Sequence, residues 1–254
     1  MDLETMNFNY KLSTLPLPKF AMPVIANTGL PPVVDMEPHM APVFNQLQLG
    51  SCTGNAFVGA LEYLENKAAG FTNTDAAFIG LSRLYVYYNE RLLEGEVSQD
   101  AGASLQDGIM AIAKYGACKE MLCPYIISQY AVQPSQAAYS DGETRKAVQF
   151  SQLDIDQPTF LQTLAAGYPI VIGMNVYSGL ERIGSDGLLP MPNPNEDCLG
   201  GHAVLVCGYD LSRQLLKVRN SWGAGWGFHG YFWMPFAYAF GGQVLEAAVI
   251  ERLQ

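Results

Sequence analysis

From Cys52 onward the apolar residues Ala56, Phe57, Ala60, Leu61 and Leu64 recur at steps of three and four, which places them on one face of an α-helix. The pattern predicts an amphipathic helix with Ser51 and Cys52 at its N-terminus. Two further helices are predicted over residues 78–90 and 105–114, the second closed by Gly116 just after its last apolar positions. After about Pro124 the texture changes. Residues 169–177, 203–209, 215–220 and 230–234 are short apolar or alternating runs separated by Gly, Asn and Asp, the pattern of strands. A helical half followed by a strand half defines an α+β arrangement of two lobes, and a cleft between lobes is a common place for a site. Residues 1–44 carry Pro16, Pro18, Pro23, Pro31, Pro32, Pro38 and Pro42, which remove backbone donors and favour extended chain, so this stretch reads as a strap rather than a domain. There is no internal repeat and no low-complexity segment.

Composition narrows the partners. The chain has 254 residues and a formal charge of −10, a balance that disfavours phosphate backbones and anionic membrane surfaces, both of which reward clustered Lys and Arg. Nucleic acid is therefore set aside. No apolar run approaches the roughly 20 residues of a membrane-spanning helix, so no membrane partner is expected. Met1 is followed by Asp2 and Glu4 instead of a basic and then apolar segment, so no secretory signal is read here. Five cysteines leave at least one sulfur outside any intramolecular disulfide, and Cys52 is the candidate. Cys118, Cys123, Cys198 and Cys207 either form two bridges, Cys118 with Cys123 and Cys198 with Cys207 being the least demanding choice, or stay reduced as small apolar residues.

Three segments carry chemistry. In Gln46-Leu-Gln-Leu-Gly-Ser-Cys52 the cysteine meets the positive end of a helix dipole and unpaired amides, which favour thiolate over thiol. The same amides, with the side-chain amide of Gln46, suit the negative oxygen of a tetrahedral intermediate, and Gly50 lets backbone approach closely. In Gly200-Gly-His202-Ala-Val-Leu-Val-Cys-Gly-Tyr209 a histidine opens an alternating strand with the small residues Gly201 and Ala203 on either side; His39 and His229 lack such a setting. In Arg219-Asn-Ser-Trp-Gly-Ala-Gly-Trp-Gly-Phe-His-Gly-Tyr231 the carboxamide of Asn220 can accept from one imidazole nitrogen while the other faces the thiol, and Trp222 can shield that bond. A thiolate–imidazolium pair between Cys52 and His202 is expected before substrate arrives. Gly225-Trp-Gly-Phe-His-Gly230 also fits a dinucleotide-type glycine pattern, but no amphipathic helix follows it, and no cofactor is expected.

Taken in this order and at these separations, the three segments resemble the papain-like cysteine peptidases over about residues 30–250. The resemblance implies a papain-like two-lobe α+β fold, with a helical N-terminal lobe at about 45–124, an antiparallel β-barrel-like C-terminal lobe at about 125–254, and the active site in the cleft between them. It implies an endopeptidase acting on polypeptides through a thioester on Cys52, with His202 as acid/base, Asn220 orienting it, Gln46 in the oxyanion hole and Trp222 covering the His202–Asn220 pair. Asp100-Ala-Gly-Ala-Ser104 resembles the glycine pair whose backbone binds extended substrate, which gives that role to Gly102 and Ala103; Gly201 and Trp222 complete the implied substrate contacts. Leu105 and Ala203 are candidates for the pocket that reads the second residue before the scissile bond. A monomer, exported from the cell, is expected.

Departures from the family pattern are equally definite. Thr53 follows the nucleophile where plant and animal members usually carry tryptophan, Leu49 stands where they carry a bridged cysteine, and the long propeptide of lysosomal members is not seen. Leu-Pro-Pro-Val-Val-Asp before the site and Tyr-Tyr-Asn-Glu-Arg after it look more like bacterial members. Residues 1–30 are read as an extended leader or a short proregion that hinders access to Cys52, and 31–254 as the peptidase domain. Competing readings are a catalytically silent papain-like binding protein, a Cys-His-Asn acyltransferase or deamidase, and a zinc site on Cys198, His202 and Cys207, whose spacing is not that of a usual zinc module. No metal is expected.

Overall fold

The computed structural model describes residues 8–14, 29–72 and 80–254. Most of the predicted leader, including Leu15-Pro-Leu-Pro18 and Phe20-Ala-Met-Pro23, lies outside the described residues. Strand β1 (Val33–Asp35) comes first, followed by helix α1 (Cys52–Ala69), 18 residues that begin at the expected cysteine. Helix α1 is buried along most of its length because it is sandwiched. Gly54 lets the backbone of α2 (Arg83–Glu94) approach so closely that a Cβ would stand 3.0 Å from the Arg83 carbonyl oxygen. Gly59 on the other side faces Leu205 and Arg219 of the sheet. The predicted second helix begins in undescribed residues at 78; the helix described starts at Arg83, where the Ser82 hydroxyl accepts from the Tyr85 amide, and runs on to Glu94. Helix α3 (Leu105–Tyr115) opens on a capping box of Ser104 and Asp107.

The second half holds two helices that its strand-like texture does not predict, α4 (Gln136–Gly142) and α5 (Gln157–Ala165). Their start signals are in the sequence: Ser135 and Asp156 each accept from an amide of the first turn, and Pro158 fits the first turn of α5. The remaining strands are β2 (Ala147–Gln152), β3 (Ile170–Val176), β4 (Gly200–Asp210), β5 (Leu215–Arg219), β6 (Tyr231–Pro235) and β7 (Val244–Leu253). They form one antiparallel sheet in the order β2-β7-β3-β4-β5-β6. Strand β1 pairs with the far end of β4, beyond the last β3 partner of that strand. The register sets Met174 opposite His202 and Leu205 opposite Arg219, so the histidine strand is held on both sides.

The stretch read as a strap divides into two parts. Residues 33–44 are a fixed margin of the sheet lobe: Lys217 Nζ reaches Asp35 at 2.7 Å and Glu37 at 2.5 Å, and the Arg219 guanidinium donates to the carbonyls of Ala41 and, at 2.8 Å, Pro42. Residues 8–14 instead cross the cleft.

The two disulfides offered as the least demanding pairing do not form; all five cysteines are free. Cys207 lies seven residues into an extended strand, on the order of 23 Å along it at about 3.3 Å per residue, whereas a disulfide needs Cα atoms within about 7 Å of each other. Cys207 is buried and Cys198 is exposed. Among the described residues no helix is long and apolar enough to cross a membrane, and no three His, Cys, Asp or Glu side chains gather as metal ligands, so the Cys198–His202–Cys207 zinc alternative has no assembled ligand set.

Candidate active site

Cys52 is the first residue of α1, and that helix end differs from those of α2 to α5. Each of the other four has a side chain accepting from a first-turn amide, while Ser51, at the same position in α1, makes no such bond. The Ser51 hydroxyl is drawn aside into a 2.6 Å hydrogen bond with the Tyr125 hydroxyl. The first amides of α1 are thereby left for another acceptor, and those of Cys52 and Thr53, with the amide of Ala203, lie toward the Cys52 sulfur.

Ala203 follows His202 on β4, so thiol and imidazole share one enclosure. His202 Nε2 lies 2.9 Å from the Asn220 carboxamide oxygen, which also accepts from the Ser221 amide at 2.8 Å. That second donor identifies the atom as oxygen, so Nε2 is the nitrogen that donates. His202 Nδ1 is buried and has no hydrogen-bond partner. The Trp222 indole stacks on the imidazole with ring centroids 5.0 Å apart and planes inclined by 26°. Gln46 is buried on the other side: its amide donates to the Ser221 carbonyl at 2.8 Å, its side-chain oxygen accepts from the Ser221 hydroxyl at 2.5 Å, and its Nε2 donates to the Leu49 carbonyl at 3.0 Å. One hydrogen on Gln46 Nε2 remains for a further acceptor. Ser221, which the sequence reading passed over, thus joins the nucleophile loop to the His202–Asn220 pair.

All four predicted substrate-contact residues meet residues 8–14. The Phe8 ring stands edge-on to both His202 and Trp222, with centroids 6.2 Å away in each case. Asn9 bridges Gly201 in parallel, and its side-chain amide donates to the Asp100 carbonyl at 2.8 Å. The Lys11 amide donates to the Ala103 carbonyl at 3.1 Å. A Cβ at Gly102 would lie 1.8 Å from the Asn9 carbonyl oxygen, so only glycine admits this backbone there. Tyr10 turns into a pocket against Gly173 and Gly201, where its hydroxyl donates to the Glu246 carboxylate. Burial first, and then Glu246, push this hydroxyl far above the usual tyrosine range, so it keeps its proton. Glu246 also accepts from the Ser13 amide, and Lys11 Nζ pairs with Glu94 at 2.8 Å and Glu96 at 2.7 Å.

Burial of the site reverses one expectation. Burial pushes the Cys52 thiol up to about 12, against the lowering effect of the Ala203 amide, and burial brings His202 down to about 4, against the raising effect of its bond to Asn220. Burial therefore favours neutral thiol and neutral imidazole over the expected ion pair, because it removes the water that would solvate two charges, and Phe8 adds to it by standing against His202.

A thiol at an uncapped helix terminus, in one enclosure with an imidazole held by a carboxamide under an indole, makes up a cysteine–histidine–asparagine set. The model of the papain family of cysteine proteases matches residues 30–239, and the chain belongs to that family. It is 36% identical over 204 residues to an uncharacterized peptidase C1-like protein of Acanthamoeba polyphaga mimivirus, covering 76% of this chain and 64% of the relative. It is 28% identical over 206 residues to a cathepsin B-like protein of Giardia intestinalis, covering 77% and 64%. The chain thus spans slightly under two thirds of the length of these curated relatives. Among solved structures it is similar to xylellain, a cysteine protease from Xylella fastidiosa, with a TM-score of 0.88, 31% identity, and coverage of 98% of this chain and 97% of that one.

Sequence reasoning missed Glu246 and Tyr10, which stand 236 residues apart. The available signal was an acidic residue interrupting the apolar run from Val244 to Ile250. It also gave no role to Asp100.

Proposed function

We propose that this chain is a cysteine endopeptidase held latent by its own residues 8–14. The observation that carries the reading is the 2.9 Å bond from His202 Nε2 to Asn220 beneath Trp222, beside the uncapped helix end that bears Cys52. In the reaction the Cys52 sulfur attacks the scissile carbonyl carbon and forms a C–S bond. The oxyanion is received by the Cys52 amide and the free hydrogen of Gln46 Nε2. The imidazolium of His202 gives its proton to the leaving amine as the C–N bond breaks. Water then attacks the thioester, His202 takes its proton, and the carboxylic acid departs with the thiolate restored.

Residues 8–14 lie along the backbone edges assigned to substrate, passing Trp222 with Phe8 and reaching Ala103 with Lys11, and this is read as the non-productive direction. The strap fills the cleft without presenting a carbonyl for productive attack. The Tyr10 pocket, closed by the Glu246 acceptor, fits a substrate side chain that ends in a donor, and profiling on a peptide library reads this preference directly. The protein acts as a monomer on polypeptides.

The test is made on the full chain. An active-site thiol probe followed by peptide mapping is expected to label Cys52, Cys52→Ala is expected to abolish peptide hydrolysis, and Asn220→Ala to lower it much less. Hydrolysis surviving in Cys52→Ala overturns the reading. Products carried onto an added amine in preference to water favour acyl transfer.

A further inference from the structure

Asp100 opens the segment that carries the substrate-binding edge, and its side chain reaches across to the loop that carries Cys52. Both of its carboxylate oxygens lie 3.0 Å from the Gly50 amide, two residues before Cys52. The Tyr87 hydroxyl donates to the same carboxylate and in turn accepts from the Gly102 amide at 3.1 Å. The next residue, Ala103, offers the carbonyl that holds extended chain in the cleft. The loop that carries Gln46, Gly50 and Ser51 and the edge made by Gly102 and Ala103 are thus connected through one carboxylate and one phenol. All five cysteines are free, so no disulfide joins these segments.

We infer that Asp100 is a positioning residue, which sets the distance between the backbone edge that binds substrate and the loop that holds the oxyanion donors. This rests on the peptidase reading above. Bonds of a carboxylate to an amide and a phenol are the stronger, charge-assisted kind, and Tyr87 is fully buried, so the phenol end of the link is shielded from competing water while Asp100 itself is half-buried. An oxyanion hole works only when its donors stand within hydrogen-bond distance of the oxygen that becomes charged. The bound peptide is placed by Gly102–Ala103, while the donors are placed by the Gln46–Cys52 loop. Asp100 makes those two placements agree. Alkylation of Cys52 by a small reagent needs the thiolate but not the edge, so the two reactions separate a positioning role from a general loss of structure.

The experiment uses full-length protein carrying Tyr10→Ala and Lys11→Ala, which free the cleft, as reference, and adds Asp100→Ala or Asp100→Asn. Asp100→Ala is expected to lower kcat/KM for a fluorogenic peptide by about 10- to 100-fold, the scale of a misplacement of about 1 Å, with iodoacetamide reactivity of Cys52 nearly unchanged. Asn, whose side-chain oxygen still accepts from Gly50 and Tyr87, is expected to restore most of the loss. Peptide hydrolysis unchanged in Asp100→Ala, hydrolysis and alkylation falling together, or Asn no better than Ala each overturns the inference. Hydrogen exchange in the wild-type chain provides a readout independent of turnover: Asp100→Ala is expected to speed exchange in segments 46–52 and 100–104 together, and unaltered exchange overturns the link. A reference protein that is alkylated but cleaves no peptide would refute the peptidase reading, while the exchange result still decides whether Asp100 ties the segments.

Discussion

At Cys52 and His202 the same two side chains support opposite charge states, depending on what lies over them. Burial outweighs the amides that favour a sulfur anion, leaving the thiol up at about 12 and the imidazole, with Phe8 against it, down at about 4. With the cover removed, water and the uncapped end of α1 act together in favour of thiolate and imidazolium. Full-length protein is therefore expected to react with iodoacetamide only slowly at neutral pH, with the rate still climbing at the alkaline end of the range. The Tyr10→Ala, Lys11→Ala form should reach its plateau at a pH several units lower. Superimposable pH–rate profiles for the two would show that the cover does not control ionisation. The chemistry of this site was legible in the sequence because each group is announced by its neighbours: glycine and serine before Cys52, small residues around His202, a tryptophan two residues beyond Asn220. Its ionisation was not legible, since that depends on tertiary burial, to which Phe8 contributes from far away in the sequence.

The strap is the element in which side-chain energies decide behaviour. Lys11 bridges Glu94 and Glu96 at a partly exposed rim, where such ion pairs contribute about 0.2–1 kcal/mol each and weaken with salt. Tyr10 puts an aromatic ring into a pocket, a contribution of about 1.5–3 kcal/mol when fully buried, and adds a bond to a carboxylate. The ring should win. At about 1.4 kcal/mol per tenfold change, Tyr10→Ala is expected to raise the activity of full-length protein by about 30-fold or more. Lys11→Ala should raise it by less, about 2-fold and at most about 25-fold if both pairs contribute fully, and added salt should reproduce only the smaller effect. Equal gains from the two substitutions would place the hold in the ion pairs. Among the other elements, α1 and α3 were legible because their apolar spacing is helical and their ends are punctuated. Strand β7 was not: Val244–Leu253 lacks the alternation of a half-exposed strand, with Ala247, Ala248, Val249 and Ile250 all buried. Helices α4 and α5 were missed for a different reason, because Ser135, Asp156 and Pro158 gave valid start signals within a stretch dominated by strand patterns.

Over the whole molecule, buried carboxyls set how stability responds to pH. Glu62, on α1, accepts from the Leu81 amide, and Glu90, on α2, accepts from the Thr53 hydroxyl; each has a second oxygen that is buried without a partner. Burial raises both from an ordinary value of 4.5 to about 8, and it raises Glu65, Glu94 and Glu120 as well. A carboxyl whose folded value lies above its unfolded one holds a proton that the unfolded chain releases. Its contribution is fully present below about 4.5 and is lost as pH rises toward 8. His202 acts in the opposite sense, because its folded value of about 4 lies below the ordinary 6.5, so stability is gained as pH rises through that interval. Glu196 and Asp210, both lowered, are ionised in either state above pH 5 and add no slope there. Between pH 5 and 6.5 at least two carboxyls oppose one histidine, and from 6.5 to 8 the carboxyls act alone, so the melting temperature is expected to fall across the whole interval. The formal charge of −10 works in the same direction through self-repulsion, and Glu62→Gln separates the two causes. Melting of the Cys52→Ala chain, which cannot digest itself, should show a downward slope from pH 5.5 to 8, and adding Glu62→Gln should flatten a substantial part of it. A melting temperature that stays level or rises over that range would remove the buried carboxyls from the account, and an undiminished slope in Glu62→Gln would assign it to the net charge instead.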